Sequence, residues 1–301
     1  MPLDRLILKR DRKVVLKRAF RLGMRTFLFF AEKHPLLYKR YASLRLREYP
    51  PERTVLIYSN GKTGTSSLTL SLNKYGTPAI QTDILYPPNI LTTRHHPWGV
   101  PLVINRVYLN TQKPIKLISL VRLPIDREVS AFFDHFALKV YHGSTTRYDI
   151  GQIDVRFKEY LRNRKSDILR DWFIEEMLPC TGVNVYAYPF PVDKGYRTIK
   201  RNNVEILIMQ IELPNERKEE IVRSYVDNAR FRWEVLGRSV SKTGFSDLYK
   251  EFKDTAVLEP ELASKIARNR KAYHFYGSER IEKHIAGWSH QRRPGERALG
   301  C

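Results

Sequence analysis

Residues 60–67 combine two glycines, a lysine and a run of hydroxyl side chains directly after the short apolar segment Val55–Tyr58. Gly61 and Gly64 allow the backbone to turn tightly and to approach a ligand closely. If a helix begins where this loop ends, its unpaired N–H groups favour an anion, and Lys62 adds a positive charge beside them. The other residues of the candidate loop are Thr63, Thr65, Ser66 and Ser67, of which the last three add hydroxyl donors. The pattern predicts a phosphate-binding loop, and the alternative is an ordinary capped helix after a glycine turn.

The same loop does not have the spacing of a Walker A motif, which binds the phosphates of ATP. That motif requires a glycine five residues before its Gly-Lys pair, and Leu56 occupies this position. No aspartate ends a strand in the order that the usual magnesium site needs. Phosphoryl transfer relies on Mg²⁺ to neutralise the triphosphate, whereas a sulfuryl group carries less charge and its transfer can proceed without a metal. We therefore expect no metal at this loop.

A second candidate anion-binding motif follows the apolar run 115–121. Arg122 comes directly after this run, Pro124 is placed to begin a helix, and Ser130 lies eight residues after Arg122. An arginine fork and a serine hydroxyl at this spacing can meet at one phosphate across the turn from strand to helix. The alternative is an arginine that caps sheet carbonyls and a serine that is buried in the helix.

Five apolar segments are predicted as strands, and helical patterns lie between them. The predicted strands are 55–58, 79–85, 115–121, 184–188 and 204–211. This alternation predicts a three-layer α/β fold with a mostly parallel central sheet flanked by helices. Ligands of such folds bind at the carboxyl ends of the strands, where both candidate motifs lie. We expect this domain to span residues 51–290, after a basic helical segment at residues 1–50 and before a flexible tail at residues 291–301.

The charge balance favours an anionic partner. Lys and Arg outnumber Asp and Glu by 53 to 32 among 301 residues, and the resulting formal net charge of +21 attracts polyanions at long range. Nucleic acid, an anionic membrane surface, a multiply phosphorylated cofactor and an acidic glycan all fit this charge. Composition therefore narrows the partner to an anion without choosing among these four.

Cysteine usage and apolar content bear on the location of the protein. Cys180 and Cys301 are far apart and form neither a disulfide framework nor a zinc-ligand spacing, so we expect a cytoplasmic protein. No stretch reaches the roughly 20 apolar residues that span a bilayer. Residues 14–31 suit a basic amphipathic helix, which either packs on the protein's own core or makes a peripheral contact with a membrane or a partner. Any membrane contact is thus expected within residues 1–50.

The two motifs together resemble those of sulfotransferases. Lys-Thr-Gly-Thr-Ser-Ser at 62–67 resembles the 5′-phosphosulfate loop of that family, and the segment 122–130 resembles its 3′-phosphate motif. Residues 53–288 resemble, in particular, a bacterial branch described as capsular polysaccharide synthesis proteins. The segments that carry this likeness are 171–173, 182–186, 194–196, 239–249 and 274–277. The resemblance implies a P-loop-like fold, 3′-phosphoadenosine 5′-phosphosulfate (PAPS) as sulfuryl donor, and a hydroxyl acceptor on a glycan.

The resemblance also implies a role for each motif residue. The loop 61–67 would surround the 5′-phosphosulfate, with its last four N–H groups on the phosphate. Lys62 would contact the bridging oxygen and stabilise the charge that develops on the departing phosphate. Arg122 and Ser130 would hold the 3′-phosphate. Lys242 would close over that phosphate as the lysine of a late Lys-Gly loop does in some sulfotransferases, and a solvated lysine is the alternative.

A general base is expected near the end of the second strand, where many sulfotransferases have a histidine or a glutamate. This sequence has Asp83 there, which departs from the histidine that the branch favours. A partly buried aspartate can serve as a base, and a structural carboxylate is the alternative. His95 and His96 are further candidates, each with a loop or core role as its alternative. Glu212, after the last predicted strand, is expected to brace the site.

Two other function classes stay open. A nucleotide or sugar kinase would need magnesium ligands and tolerance for ATP. A nucleic-acid-binding protein would explain the positive charge through neutralisation of phosphates. No helix-turn-helix, zinc-binding or aromatic ribonucleoprotein signature is present, so we expect no specific nucleic acid partner.

Overall fold

Two central strands bring both predicted motifs to the same edge of one sheet. The computed structural model describes residues 49–86, 109, 113–140, 149–163, 171–234 and 246–290. The strands within these ranges are β1 (Val55–Tyr58), β2 (Ala79–Thr82), β3 (Ile115–Val121), β4 (Tyr196–Arg201) and β5 (Val204–Gln210). They are ordered β2-β1-β3-β5-β4, and β4 alone among them runs antiparallel to its neighbour. Because β1 and β3 are parallel neighbours, the loop after Tyr58 lies beside the turn after Val121.

Helices flank the sheet throughout the described ranges. They are α1 (Thr65–Lys74), α2 (Pro124–Val140), α3 (Ile150–Asn163), α4 (Leu178–Thr181), α5 (Asn215–Val226), α6 (Ser246–Thr255), α7 (Pro260–Ala267) and α8 (Arg270–Ser289). A π-helical segment, Phe173–Met177, runs directly into α4. None of the described helices is both long and apolar enough to cross a membrane.

Alternate residues of β1 face opposite sides of the sheet, and both sides are covered. Val55 and Ile57 belong to one buried apolar cluster, which includes residues of α1 and α5. Leu56 and Tyr58 belong to the other, which includes residues of α2, α3, α7 and α8. All four strand residues are at most 3% exposed, as expected for a strand buried on both faces. The predicted three-layer α/β fold with a mostly parallel sheet is therefore confirmed.

The structure differs from the predicted strands at three places. The strand predicted at 79–85 ends at Thr82. The segment predicted as a strand at 184–188 instead contains a single 3₁₀ turn, Val185–Ala187, because the Asn184 side chain accepts a hydrogen bond from the Tyr186 N–H at 3.1 Å. The edge strand β4 was not predicted. Its sequence is largely polar because, among its residues, only Ile199 is buried. Residues 1–48 and 291–301, with the predicted basic segment and tail, lie outside the described residues.

Glu176 joins the segment after β2 to the end of β1. Its carboxylate is buried and accepts hydrogen bonds from the Tyr58 hydroxyl at 2.8 Å, from the Tyr86 N–H at 2.7 Å and from the Leu85 N–H. Burial, and then the nearby Cys180 and Glu176, raises the pKa of the Tyr58 hydroxyl, which therefore stays protonated and able to donate. Glu176 thus fixes the position of the chain that leads away from Asp83.

We predict that Glu176→Leu lowers the free energy of unfolding by roughly 3–5 kcal/mol, because buried donors lose their acceptor. Urea denaturation measures this loss. The same replacement at the exposed neighbour Glu175 is the control, and it should change stability by less than about 1 kcal/mol. Equal midpoints for the two variants would contradict the role of Glu176.

Candidate functional site

The loop between β1 and α1 turns through two residues with left-handed backbone. Lys62 has φ of 70° and Gly64 has φ of 86°, and Gly64 directly precedes the helix. A Cβ on Gly64 would lie 2.7 Å from Ile211 Cδ1, so both backbone conformation and space favour glycine here. No side chain caps α1, and its first N–H groups have no acceptor among the described residues. The helix start is therefore open to an anion.

Two arginines of the second motif hold the carbonyl groups of this loop. Arg122 Nη1 donates to the Lys62 carbonyl at 3.1 Å, and Arg127 Nε donates to the Gly61 carbonyl at 3.1 Å. Arg127 Nη2 also donates to Asn60 Oδ1 at 3.0 Å. Since the carbonyls point toward the guanidinium groups, the first half of the loop is fixed from the side of α2. The structure thus brings the two predicted motifs into direct contact.

Sequence reasoning missed Arg127. The sequence could have indicated it by its position, since Arg127 lies five residues after Arg122, near the start of the helix that follows β3. The neighbouring Glu128 is buried and forms an ion pair with Arg127, which fixes the guanidinium from the side opposite the loop. Arg127 therefore supports the loop, a role that a motif built on Arg122 and Ser130 does not include.

Lys62 points toward α2. Its ammonium forms an ion pair with the carboxylate of Asp134, and the two side chains are 36% and 31% exposed. Asp134 lies four residues after Ser130, so both occupy one face of α2, one turn apart. Ser130 is half-buried and makes no hydrogen bond to Arg122 within the described part of the chain. The ammonium of Lys62 therefore contacts the face of α2 that also carries Ser130.

Asp83 lies beside the loop, close to its backbone. Its Oδ2 is 3.7 Å from the position that a Cβ on Gly61 would occupy, and its carbonyl accepts a hydrogen bond from Trp172 Nε1 at 2.9 Å. The predicted base is thus close to the predicted phosphate loop. His95, His96 and Lys242 lie outside the described residues.

Glu212 holds the turn that carries Arg122. Its buried carboxylate accepts hydrogen bonds from the Leu123 N–H at 2.7 Å and from the Tyr276 hydroxyl at 2.8 Å. Burial raises the pKa of Glu212, and these hydrogen bonds oppose that effect only in part. Glu212 therefore ties the end of β3 to α8.

A small cleft opens below the loop, between the turn after β3 and α8. Its polar wall is formed by Asn60, Thr63, Arg122, Arg127 and Lys271, and aromatic residues of the core form its floor. Burial, and then the charge of Arg127, lowers the pKa of Lys271 to about 8. No hydrogen-bond acceptor for Lys271 is seen among the described residues. A desolvated cation in a cleft wall is typical of a group that faces a ligand.

No protein-family model, curated protein or solved structure matches the chain. Within the described ranges, no three His, Cys, Asp or Glu side chains are close enough together to hold a metal ion. Function is therefore inferred from the chemistry of the loop, the arginines and the cleft.

We predict that Gly64→Ala weakens the binding of adenosine 3′,5′-bisphosphate by about ten-fold or more, because the new methyl group meets Ile211 and moves the loop. Gly76→Ala is the matched control, since Gly76 has nearly the same φ, 84°, but lies beyond the far end of α1, where a Cβ would meet only Arg230 Nη2, at 4.0 Å. Both variants should lose about 1–2 kcal/mol of stability from backbone strain. Titration calorimetry measures affinity, and equal affinities in the two variants would contradict a cradle at Gly64.

We predict that Lys271→Met stabilises the protein near neutral pH. The pKa of Lys271 in the folded protein is about 8, below its ordinary 10.5, so the folded state is penalised wherever the lysine is charged. This cost is fully present below pH 8 and disappears as the pH rises to about 10.5. The advantage of the variant should therefore shrink by up to about 3 kcal/mol over this interval. Denaturation across this range measures it, with the exposed Lys265→Met as control, and parallel profiles would contradict the effect.

Proposed function

We propose that the chain is a sulfotransferase that uses PAPS as its sulfuryl donor. The observation that carries the proposal is the hydrogen bond from Arg122 to the Lys62 carbonyl, which joins the two anion motifs at adjacent strand ends. A donor with a 5′-phosphosulfate and a 3′-phosphate needs two anion sites a short distance apart. A loop for a single phosphate would leave the second motif unexplained.

The described residues fit such a donor. The open start of α1, which follows the left-handed turn at Gly64, would receive the 5′-phosphosulfate. Arg122 and Ser130 would hold the 3′-phosphate from the turn after β3 and the adjoining face of α2. When bound, the donor supplies an activated sulfuryl group. The chain supplies positioning and charge stabilisation.

Each catalytic role is assigned to a residue near the loop. Lys62 would stabilise the negative charge on the leaving phosphate oxygen. Asp83, at 3.7 Å from the Cβ position of Gly61, is the base that the family resemblance suggests. Arg127 would keep the loop in its binding conformation through the Gly61 carbonyl.

We propose a glycan hydroxyl as the acceptor, in line with the likeness to capsular polysaccharide synthesis proteins, and the net charge of +21 favours an anionic glycan. A cytoplasmic enzyme with a peripheral membrane contact through residues 1–50 belongs to the same proposal. It is supported by the basic amphipathic pattern in that segment and by the absence of a cysteine framework in the sequence.

Thermal stabilisation by three ligands tests the proposal against its rivals. A ligand at one hundred times its Kd raises stability by about 2.7 kcal/mol. Adenosine 3′,5′-bisphosphate should therefore raise the melting temperature by several degrees, and well above ADP with magnesium or duplex DNA at the same concentration. Equal responses to the two nucleotides would exclude a site for the 3′-phosphate, and a dominant response to DNA would favour a nucleic-acid-binding protein.

A further inference from the structure

We propose that Asp134 accepts the proton of the acceptor hydroxyl and acts as one unit with Lys62. This inference rests on the proposed sulfotransferase function. It assigns the base to the helix that carries the 3′-phosphate motif, in place of the segment after β2.

The placement of Asp134 supports this assignment. Its carboxylate is in direct contact with the ammonium of Lys62, the group proposed to act on the leaving oxygen. About a third of each side chain is exposed, so an incoming hydroxyl can reach the pair from solvent. The carboxylate of Asp83, by comparison, lies against the backbone at Gly61. Asp134 is therefore the carboxylate that the structure places at the reacting lysine.

The other acidic side chains of α2 form their ion pairs and hydrogen bonds nearer the start of the helix. Lys253 of α6 pairs with Asp126 at 2.8 Å, and Tyr160 of α3 donates to Glu128 at 3.4 Å. Asp126 lies eight residues before Asp134, which is about 12 Å along a helix. Lys62 is thus the charged group that the described residues place against Asp134.

The ion pair couples the two halves of the reaction. Lys62 contacts Asp134 before the reaction, and during the reaction it would contact the leaving phosphate oxygen. The same lysine thus links the carboxylate that takes the proton to the oxygen that takes the electron pair.

The step balances as an in-line displacement. The acceptor oxygen forms a bond to sulfur, and the bond from sulfur to the bridging oxygen breaks. Its electron pair stays on the 5′-phosphate of adenosine 3′,5′-bisphosphate, where Lys62 stabilises the new charge. The hydroxyl proton moves to a carboxylate oxygen of Asp134, and no oxidant or metal is consumed.

Two measurements on Asp134→Asn test the inference. The first is the affinity for adenosine 3′,5′-bisphosphate, which should stay equal or tighten by up to about five-fold, because Lys62 no longer leaves an ion pair on binding. The second is the turnover of PAPS with water as acceptor, followed as release of the bisphosphate. This rate should fall by about 10²–10⁴-fold. Asp134→Glu, which keeps a carboxylate on this side chain, should recover part of the lost rate.

Comparison variants separate the possible failures. The exposed Asp247→Asn is the matched control for the loss of one carboxylate. Wild-type turnover in Asp134→Asn, a larger loss in Asp83→Asn, or weaker bisphosphate binding in Asp134→Asn would each overturn the role of Asp134 while leaving the sulfotransferase function standing. A wild-type chain that neither binds the bisphosphate in preference to ADP nor turns over PAPS would overturn both.

Discussion

The hydrogen bonds from two arginines to two successive carbonyls of the loop are the constraint on which the site depends. Arg122 and Arg127 come from the turn after β3 and from α2, and they hold the carbonyls of Lys62 and Gly61. A carbonyl turned toward a guanidinium group cannot turn into the space above α1, where an anion would be repelled by it. The carbonyls of Gly61 and Lys62 are thus kept away from the open start of α1.

These contacts exist only because of the register of the sheet. β1 and β3 pair in parallel, with Ile57 opposite Ile118, so their carboxyl ends lie side by side. Glu212 then joins the turn after β3 to α8, and Glu176 joins the end of β1 to the segment after β2. These two carboxylates hold the ends of β1 and β3 in place, beside the partly exposed carboxylates of Asp83 and Asp134.

The parts of the fold that the sequence predicted are those with a strong local pattern. A window of ten residues is enough to recognise the apolar runs of β1 and β3. The same holds for the glycines near Lys62. β4 gave no such signal, because an edge strand with mostly polar residues lacks the apolar run by which a buried strand is recognised. The 3₁₀ turn at Val185–Ala187 was mistaken for a strand because its residues are apolar or aromatic, although the backbone there is not extended and only Val185 is buried.

In the site, the loop and Arg122 were predictable from residue type and order. The contact between Lys62 and Asp134 was not, since it joins residues 72 positions apart and depends on how α2 crosses the end of the sheet. Arg127 was missed for a related reason, because an arginine next to a glutamate in a helix is typical of an ion pair at the surface. Pairings across elements require the packed structure, whereas loops at strand ends do not.

The left-handed backbone of Lys62 has a consequence for the history of such a protein. A non-glycine residue at φ of 70° costs on the order of 1 kcal/mol, which glycine would not incur. Random drift under selection for folding alone would therefore tend to replace this lysine with glycine. A lysine that persists at this position therefore carries a small cost in stability, and replacement by glycine is the change expected where folding alone is selected.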